Sequence, residues 1–464
     1  MKSMFRGHRP RLHFVGIGGI GMSGIAEILI GHGYVVSGSD ITASEVTVRL
    51  EELGATIFTG HNASQIQNAD VVVVSTAINR NNPEVQAAQA AQIPIVHRGE
   101  MLAELMRLRS GVAIAGSHGK TTTTSLIAHI FANAGLDPMA VVGGVVKNFG
   151  ANAKHGLGDY LVAEADESDG SFLQLLPTIA VVTNIDAEHI EHYVHGFPEL
   201  LSAFLTFINS IPFYGLAVLC SDHANVRALL GSVKKRYVTY GFADADYTLR
   251  QLETHHDSVS FVPVRRGEAL ERVTFHMLGE HNAQNALAAL AVVDEVGIPF
   301  ATYQKSLADF AGVTRRFEFK GSSDGITLYD DYGHHPVEMI ATIKSAKQCF
   351  KKRLVVVFQP HRYSRTQLLL KDFANAFVDA DVVILTAIYA AGEPPILGVD
   401  GKLIYDEVVK SGHQNVHYVE NKNDIAKFLQ QCTQAGDLVL TLGAGDINKI
   451  GEDFMKRLKN GAVL

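Results

Sequence analysis

The stretch Val112-Ala-Ile-Ala-Gly-Ser-His-Gly-Lys-Thr-Thr-Thr-Thr124 joins a short apolar run to a polar, glycine-containing turn. The apolar run predicts a buried strand, and the following Ser125-Leu-Ile-Ala-His-Ile-Phe131 predicts a helix. A glycine-rich turn that enters a helix directs several backbone N–H groups to one point, where phosphate oxygens fit. Lys120 would add positive charge at the β- and γ-phosphates of a nucleotide, and the Thr121 hydroxyl would reach a Mg²⁺ ion. The stretch therefore predicts a phosphate loop.

This phosphate loop is a shortened one. The strict pattern has a glycine where this chain has Ile114, so the match is to Gly-x-x-Gly-Lys-Thr. From this motif alone, a glycine turn with an incidental lysine remains an alternative to a phosphate loop. The other motifs of the chain are needed to distinguish the two interpretations.

Composition indicates a multidomain globular protein. The chain has 464 residues, of which 47% are hydrophobic and 19% are charged, and this length predicts two to four domains. The net charge of −8 argues against nucleic acid as the main partner. No uncharged apolar run is long enough to cross a membrane, and the apolar stretch 14–30 contains glycines and Glu27, which favours strand–loop–helix over a signal peptide. We expect a cytoplasmic protein whose three separated cysteines, Cys220, Cys349 and Cys432, are buried thiols.

A second glycine motif lies near the N-terminus. Leu12-His-Phe-Val-Gly-Ile-Gly-Gly-Ile-Gly-Met22 predicts a strand that runs into Gly-x-Gly-x-x-Gly, with a helix over about 23–32 and a strand over 34–37. Asp40 follows the last glycine by 19 residues, as in dinucleotide-binding folds. The motif specifies a nucleotide diphosphate well and the nucleotide poorly, so NAD, with Asp40 on its ribose, is one interpretation.

The middle third supplies acidic and polar groups at predicted strand ends. Glu164-Ala-Asp-Glu-Ser-Asp169 follows an apolar run, and carboxylates at that position hold Mg²⁺ in phosphate-loop enzymes. A solvated acidic turn is the alternative. His189 follows the predicted strand 179–185, where it could reach a metal or phosphate. His281 and Asn285 are four residues apart at the start of an alanine-rich helix, so they share one face of it.

The last third predicts a further α/β domain. The apolar runs 326–329, 354–358, 382–386 and 438–442 predict strands that alternate with helices. Two of them end in polar turns, Asp330-Asp-Tyr-Gly-His-His-Pro336 and Gln359-Pro-His-Arg-Tyr-Ser-Arg-Thr366, at the strand ends where open α/β sheets bind ligands. Arg362 and Arg365 could grip a carboxylate.

Taken together, these motifs resemble the Mur ligase family of ATP-dependent amino-acid ligases. The resemblance covers nearly the whole chain and includes Gly116-Ser-His-Gly-Lys-Thr-Thr122, Glu164–Asp169, Thr183-Asn-Ile185 with His189, Gly279-x-His-Asn-x-x-Asn285, and Arg316-Phe317. It implies an α/β fold of three domains: a Rossmann-like UDP-sugar domain over 1–107, a phosphate-loop ATPase-type domain over 108–320, and a Rossmann-like amino-acid domain over 321–464. The first glycine motif would then bind the diphosphate of UDP.

Within the family, three stretches most resemble the branch that adds L-alanine to UDP-N-acetylmuramate in peptidoglycan precursor synthesis. They are Gly16–Met22, Asp330–Pro336 and Pro360–Thr366. The resemblance implies ATP and Mg²⁺ as cofactors, an acyl-phosphate intermediate, and a monomer or homodimer that binds neither nucleic acid nor membrane.

The resemblance also implies roles for individual residues. Lys120, His189 and His334 would be catalytic, with His334 a candidate base for the ammonium proton. Thr121, Glu164 and His189 would surround Mg²⁺. The other implied contacts are, for ATP, Gly116, Ser117, His118, Gly119, Lys120, Thr121, Thr122, His281, Asn285, Arg316 and Asp331; for the UDP-sugar, Gly16, Gly18, Gly19, Gly21, Met22, Ser39, Asp40, Ser75, Thr76, Ala77, His97 and Arg98; and for the amino acid, Tyr332, His334, Arg362 and Arg365.

Several alternatives stay open from the sequence. Arg315 could act in place of Arg316, Asp330 in place of Asp331, and Arg98 could be a solvated surface residue. A muropeptide-recycling ligase, which joins a ready-made tripeptide to the same UDP-sugar, would share the first two domains. An NAD-dependent oxidoreductase would leave the phosphate loop without a purpose, and a nucleotide-gated binding protein would not explain the polar turns of the last third.

Overall fold

The computed structural model describes residues 10–187 and 192–461. The described chain forms two compact units, one made of residues 10–187, 192–251, 261–275 and 283–313, the other of residues 252–260, 276–282 and 314–461. Its strands form three sheets, all of them largely parallel.

The first sheet has five parallel strands in the order β3-β2-β1-β4-β5. Valine-rich runs build it, and its side chains alternate between two cores: Val73 packs on one face with α1 and α4, while Val72 and Val74 pack on the other with α3. The strand order reverses between β1 and β4, and open α/β sheets bind ligands at such a point. The elements are β1 (Arg11–Val15), α1 (Ile20–Gly31), β2 (Val35–Asp40), α2 (Glu45–Glu52), β3 (Thr56–Thr59), β4 (Val71–Val74), α3 (Pro83–Ala90), β5 (Ile95–His97) and α4 (Arg98–Met106).

The second sheet has eleven strands, with β6 near its centre between β10 and β9. Both neighbours run parallel to β6, so the turn that leaves β6 lies beside the carboxyl ends of two other strands. The elements are β6 (Ser110–Ala115), α5 (Lys120–Asn133), β7 (Met139–Val146), β8 (Ala151–Lys154), β9 (Tyr160–Glu164), β10 (Ile179–Val182), α6 (Phe197–Asn209), β11 (Leu216–Cys220), α7 (Ala224–Leu229), β12 (Tyr237–Tyr240), β13 (Tyr247–Thr254), β14 (Val259–Arg265), β15 (Glu268–Ala269), β16 (Val273–Phe275), α8 (Glu280–Val296) and α9 (Phe300–Asp309).

The third sheet has six strands in the order β17-β18-β22-β19-β20-β21. It is covered on both faces, because Val356 and Phe358 of β19 pack into one core and Val355 and Val357 into another. The elements are β17 (Glu318–Ser323), β18 (Ile326–Asp331), α10 (Pro336–Phe350), β19 (Leu354–Phe358), α11 (Tyr363–Leu368), α12 (Leu370–Asn375), β20 (Val382–Leu385), α13 (Gly401–Lys410), β21 (Val416–Tyr418), α14 (Ile425–Cys432), β22 (Leu438–Leu442) and α15 (Ile447–Gly461).

The predicted α/β class is confirmed, and two details of the prediction are wrong. The helix after the phosphate loop begins at Lys120, five residues before the predicted start, because the four threonines belong to its buried first turns. Of the cysteines, Cys220 is buried, but Cys349 and Cys432 are only half-buried, and all three are free thiols. The described residues contain no helix long and apolar enough to span a membrane. The domain boundaries at 107 and 320 stay predictions.

Candidate active site

The turn between β6 and α5 has the backbone shape that a phosphate loop requires. Gly116 and Gly119 have φ angles of 133° and 81°, in a region that other residues rarely adopt. The surrounding atoms also exclude a larger residue at both positions. A Cβ at Gly116 would lie 2.1 Å from Thr183 Oγ1, and one at Gly119 would lie 2.8 Å from Asn285 Oδ1. The two glycines are therefore needed for this turn, and Asn285 of α8 lies beside it.

The carboxyl end of β10 holds the phosphate loop from the neighbouring strand. Thr183 Oγ1 donates to the carbonyl of His118 at 2.6 Å, and the His118 N–H donates to Asn184 Oδ1 at 2.7 Å. The Asp186 N–H donates to Ser117 Oγ at 2.8 Å, and Asp186 Oδ2 lies 3.3 Å from His118 Nε2. Hydrogen bonds from histidines, that from His118 foremost, lower the pKa of Asp186. Ser117 and His118 thus shape the loop, and their contacts with ATP stay predictions.

Lys120 is engaged by a carboxylate that the sequence did not single out. Its Nζ donates to both carboxylate oxygens of Glu167 at 2.9 Å and also to two carbonyl oxygens of the loop. Burial by itself would lower the pKa of Lys120, but the negative charges of Glu167, Asp166 and Glu164 outweigh it, and the pKa is raised. The ammonium therefore stays charged at the point where nucleotide phosphates would enter.

The oxygen donors predicted for Mg²⁺ lie on two elements next to the loop. Thr121 and Thr122 lie in the first turn of α5, each 6% exposed. Glu164 ends β9, and its Oε1 accepts a hydrogen bond from the Gly143 N–H at 2.6 Å. Hydroxyl and carboxylate oxygens suit Mg²⁺, which usually shares its ligands with nucleotide phosphates, so Thr121 and Glu164 fit the ion. His189, the third predicted ligand, lies outside the described residues.

No metal site is complete from side chains of the described residues alone. Across residues 10–187 and 192–461, no group of three or more His, Cys, Asp or Glu is placed to hold an ion. A Mg²⁺ ion at Thr121 and Glu164 would therefore need ligands beyond these described side chains, and nucleotide phosphates and water supply such oxygens.

A cavity of about 730 Å³ connects the first glycine motif with the phosphate loop. It is lined by predicted UDP-sugar residues and also by Lys120 and Glu164, so groups from both predicted phosphate sites face one space. Within its wall, the Gly18 N–H donates to Asp40 Oδ2 at 2.8 Å. The predicted UDP-sugar residues in this lining are Gly16, Gly18, Gly19, Gly21, Met22, Asp40, Ser75, Ala77 and Arg98.

Three predicted UDP-sugar residues are not part of this lining. Thr76 and His97 are exposed outside it. The Ser39 side chain is fully buried, and its Oγ donates to Glu84 Oε2 at 2.7 Å, so the contact of this residue with a UDP-sugar stays a prediction. The backbone carbonyl of Ser39 contacts the glycine loop, because it accepts hydrogen bonds from the N–H groups of Gly16 and Ile17.

The lining also contains residues that the sequence reasoning missed. His61, two residues beyond β3, is one of them, and its Nδ1 lies 3.1 Å from Glu84 Oε1. It follows the carboxyl end of β3, where parallel α/β sheets bind ligands, and that position is the sequence signal that could have found it. Leu102 and Val141 were missed because nothing in an apolar residue marks it as ligand-facing.

In the second unit, the adjacent arginines differ in their surroundings. Arg315 Nε donates to the buried Asp330 at 3.0 Å, and its other nitrogens donate to the carbonyls of Gly443 and Gly445. Both arginines lie over the Tyr332 ring, Arg315 at 5.2 Å and Arg316 at 5.5 Å from its centre, and Arg316 Nη1 lies 3.8 Å from Glu338 Oε1. Arg315 is thus occupied in holding strand ends together, which favours Arg316 as the ligand-binding arginine.

The adjacent aspartates differ in the same way. Asp331 accepts the N–H groups of Phe317 at 2.8 Å and Gly333 at 2.7 Å, and burial raises its pKa to about 6. Asp330 is tied to Arg315, so Asp331 is the better candidate for a ligand. His281, at the start of α8, has its Nε2 3.2 Å from the side-chain amide nitrogen of Asn282.

The polar turns after β18 and β19 bring together a group of aromatic and basic side chains. The rings of His334 and His361 have centres 5.5 Å apart, His361 stacks on Tyr389 at 5.7 Å, and Arg365 Nη1 lies 3.3 Å from His361 Nδ1. Burial lowers the pKa of His334 to about 4 and that of His361 to about 3. Both imidazoles are therefore neutral at pH 7, and each can accept a proton.

Arg362 and Tyr332 flank this group. Arg362 has a φ of 71°, and its N–H donates to the Tyr389 carbonyl at 2.9 Å. The Tyr332 carbonyl lies 3.1 Å from His334 Nδ1. Each of the four residues predicted for the amino acid is thus at or next to this cluster. Tyr389 also belongs to it, and the sequence did not predict this residue, because it follows β20 in a segment outside the regular helices and strands.

Three family models match the chain. The model of the Mur ligase family catalytic domain matches residues 11–110, that of the Mur ligase middle domain residues 114–293, and that of the Mur ligase glutamate ligase domain residues 315–445. The matches leave only short stretches between them.

Curated relatives and a solved structure are similar over almost the full length. The UDP-N-acetylmuramate–L-alanine ligase of Anaeromyxobacter sp. (strain Fw109-5) is 53% identical over 458 residues, covering 98% of this chain and 100% of the relative. That of Geobacter sp. (strain M21) is 54% identical, covering 98% of each. The crystal structure of the UDP-N-acetylmuramate–alanine ligase of Thermotoga maritima superposes with a TM-score of 0.85 at 30% identity, covering 97% of this chain and 100% of that one.

Proposed function

The chain belongs to the Mur ligase family, and we propose that it joins L-alanine to the lactyl carboxylate of UDP-N-acetylmuramate while ATP is cleaved to ADP and phosphate. The observation that carries the proposal is the shared cavity, in which the glycine loop of the first sheet faces Lys120 and Glu164 of the second. A nucleotide sugar and a nucleoside triphosphate could meet there. The 53–54% identical relatives support this choice of substrates, and the product is a precursor of peptidoglycan.

The glycine loop provides the diphosphate site for UDP-N-acetylmuramate. Its backbone N–H groups at the start of α1 suit an anion, and Arg98 adds a guanidinium. Asp40 is already committed to the Gly18 N–H through Oδ2, so a ribose hydroxyl would use the other oxygen.

The phosphate loop binds ATP. The N–H groups at the start of α5 and the Lys120 ammonium face the β- and γ-phosphates, while Asn285, beside Gly119, offers both a donor and an acceptor to the nucleotide. Thr121 and Glu164, with His189, would hold Mg²⁺, which when bound neutralises phosphate charge. His281, Arg316 and Asp331 are the remaining proposed contacts with ATP.

The first chemical step joins two anions. The lactyl carboxylate oxygen attacks the γ-phosphorus of ATP, the bond to the β-phosphate oxygen breaks, and an acyl phosphate and ADP form. Repulsion between the reactants must be offset by fixed positive charge, and Lys120, whose raised pKa keeps it protonated, supplies it.

In the second step the amine of L-alanine attacks the acyl carbon, and phosphate leaves from the tetrahedral intermediate. The amine must first lose a proton. Burial lowers the pKa of His334 to about 4, so at pH 7 one of its ring nitrogens has a lone pair for that proton, while the same burial makes it a weaker base than an exposed histidine. Arg365 or Arg362 binds the alanine carboxylate, and the Tyr332 ring bounds the pocket for a small side chain.

The test is phosphate release from ATP and Mg²⁺ in the presence of UDP-N-acetylmuramate. We expect release with L-alanine, and only when the UDP-sugar is also present. Release with the L-Ala-D-Glu-diaminopimelate tripeptide but not with L-alanine would move the chain to the recycling branch of the family. Absence of release with either amine would contradict the proposal. Size-exclusion chromatography would test the expected monomer or homodimer.

A further inference from the structure

Two cations, Arg98 and Lys120, lie at the two phosphate-binding loops of the cavity. A Cβ on Gly21 of the glycine loop would fall 2.9 Å from Arg98 Nη1, so this guanidinium lies directly against the loop. Lys120 is the first residue of α5, at the end of the phosphate loop. Both side chains line the same cavity.

Each cation is held by one of two consecutive carboxylates, Asp166 and Glu167, which we name the acidic pair. Arg98 Nη2 donates to Asp166 Oδ2 at 2.8 Å and lies 3.8 Å from the more distant Asp169 Oδ2, and Lys120 Nζ donates to both oxygens of Glu167 at 2.9 Å. The Glu167 side chain is only 3% exposed, whereas that of Asp166 is 36% exposed. A phosphate group that binds either cation must compete with a carboxylate already in place.

Hydrogen bonds from other segments link to the backbone of both residues of the acidic pair. Tyr193 Oη donates to the Glu167 carbonyl at 2.6 Å, and the Phe172 N–H donates to the Asp166 carbonyl at 3.2 Å. Ser168 Oγ donates to Asp166 Oδ1 at 2.6 Å. Because the two residues share one peptide bond inside this frame, a shift that withdraws one carboxylate from its cation disturbs the other.

We propose that the acidic pair couples the binding of the two nucleotides, because each carboxylate competes with a phosphate group for one cation and the two carboxylates are on adjacent residues. This rests on the proposed function, since it needs ATP at Lys120 and a UDP-sugar at Arg98. The first ligand to bind displaces its carboxylate and moves the segment, and the second ligand then displaces a carboxylate that is already loosened. Binding of either ligand therefore strengthens binding of the other, by the same factor in both directions.

Isothermal titration calorimetry on the full chain tests the proposal. UDP-N-acetylmuramate is titrated with and without a saturating non-hydrolysable ATP analogue and Mg²⁺, and the reverse titration is also made. We expect each ligand to tighten the other by about 5- to 20-fold, within the usual range of coupling between sites. In Asp166→Asn and Glu167→Gln the coupling factor should fall towards one, and Glu167→Gln should bind the ATP analogue alone more tightly than the wild type, because the competing charge is gone.

The matched control is Glu104→Gln. Glu104 lies on the same helix as Arg98, is partly exposed, and pairs with Arg107 instead of Arg98. This variant should keep the wild-type coupling. A wild type that binds both ligands without coupling, or variants of the acidic pair that keep it, would overturn this inference and leave the proposed function standing. A wild type that binds neither ligand would instead overturn the proposed function. The wild-type titrations decide the first point even if a variant fails to fold, which circular dichroism reports.

Discussion

At the scale of single residues, the buried ion pair between Lys120 and Glu167 makes two effects of mutation separable. Lys120→Ala should lower kcat by about 100- to 1,000-fold, because a preorganised positive charge at the transferred phosphoryl group is lost. It should also lower the free energy of unfolding by about 3–5 kcal/mol, because Glu167 is left buried and unpaired. Phosphate release measures the change in kcat, and thermal unfolding measures the change in stability.

The double variant Lys120→Ala/Glu167→Gln distinguishes catalysis from folding. It removes the unpaired charge, so most of the lost stability should return while turnover stays low. Recovery of turnover together with stability would show that Lys120 has only a structural role. Binding of UDP-N-acetylmuramate should survive in the double variant, since its site has its own loop.

The buried His334 should make the second unit less stable in acid. Its pKa is about 4 in the folded chain and 6.5 when unfolded, so the unfolded chain binds more protons between these values. Stability is therefore lost as the pH falls from 6.5 towards 4, by about 3 kcal/mol for this group. Asp331, whose pKa burial raises to about 6, contributes in the opposite sense, since the stability it provides is present in acid and lost as the pH rises through 6.

The difference between wild type and His334→Asn isolates this histidine from Asp331. Urea unfolding of both proteins between pH 4 and pH 7 should give a smaller dependence on pH in the variant. Parallel curves would mean that His334 is not buried as a neutral group, and its proposed role as a base would lose its support.

At the scale of elements, helix α5 offers a glycine at each end with the same backbone strain. Gly119 and Gly135 have φ angles of 81° and 76°. A Cβ at Gly119 meets Asn285, whereas nothing lies within 4 Å of one at Gly135. Both alanine variants should lose about 1–2 kcal/mol of stability from the left-handed backbone. Only Gly119→Ala should raise the KM for ATP, by at least about tenfold, since one misplaced phosphate contact of about 1.4 kcal/mol has that effect. An equal change in KM for both would contradict the loop assignment.

How far the sequence predicts an element depends on whether its signal is local. The bounds of β19 and β22 follow from runs of apolar residues between polar turns, and the structure has the same bounds. Side-chain direction at a strand end is not local. Neighbouring residues point to opposite faces, so the sequence could not tell that Asp330 meets Arg315 while Asp331 caps a turn, or that Ser39 faces Glu84. The pairing of Lys120 with Glu167, 47 residues away, depends on β6 and β9 lying side by side.

At the scale of the whole molecule, the cavity proposed for phosphates and the cluster proposed for the amino acid belong to different units. The cavity proposed for UDP-N-acetylmuramate and the phosphates of ATP is lined entirely by residues of the first unit, while Arg365 and its histidine neighbours belong to the second. Each unit has its own buried core. A change confined to the amino-acid cluster should therefore leave the first chemical step largely intact.

Arg365→Ala tests this division. We expect the KM for L-alanine to rise by at least about 100-fold, because an arginine–carboxylate contact in a partly buried site is worth close to 3 kcal/mol. The rate of acyl-phosphate formation, measured in the absence of L-alanine by trapping the intermediate with hydroxylamine, should stay within a few-fold of the wild-type rate. Arg457→Ala, which removes an exposed arginine paired with Asp453 on α15, should change neither quantity. Loss of acyl-phosphate formation in Arg365→Ala alone would mean that this arginine serves ATP or the UDP-sugar, and it would contradict the assignment of this cluster to the amino acid.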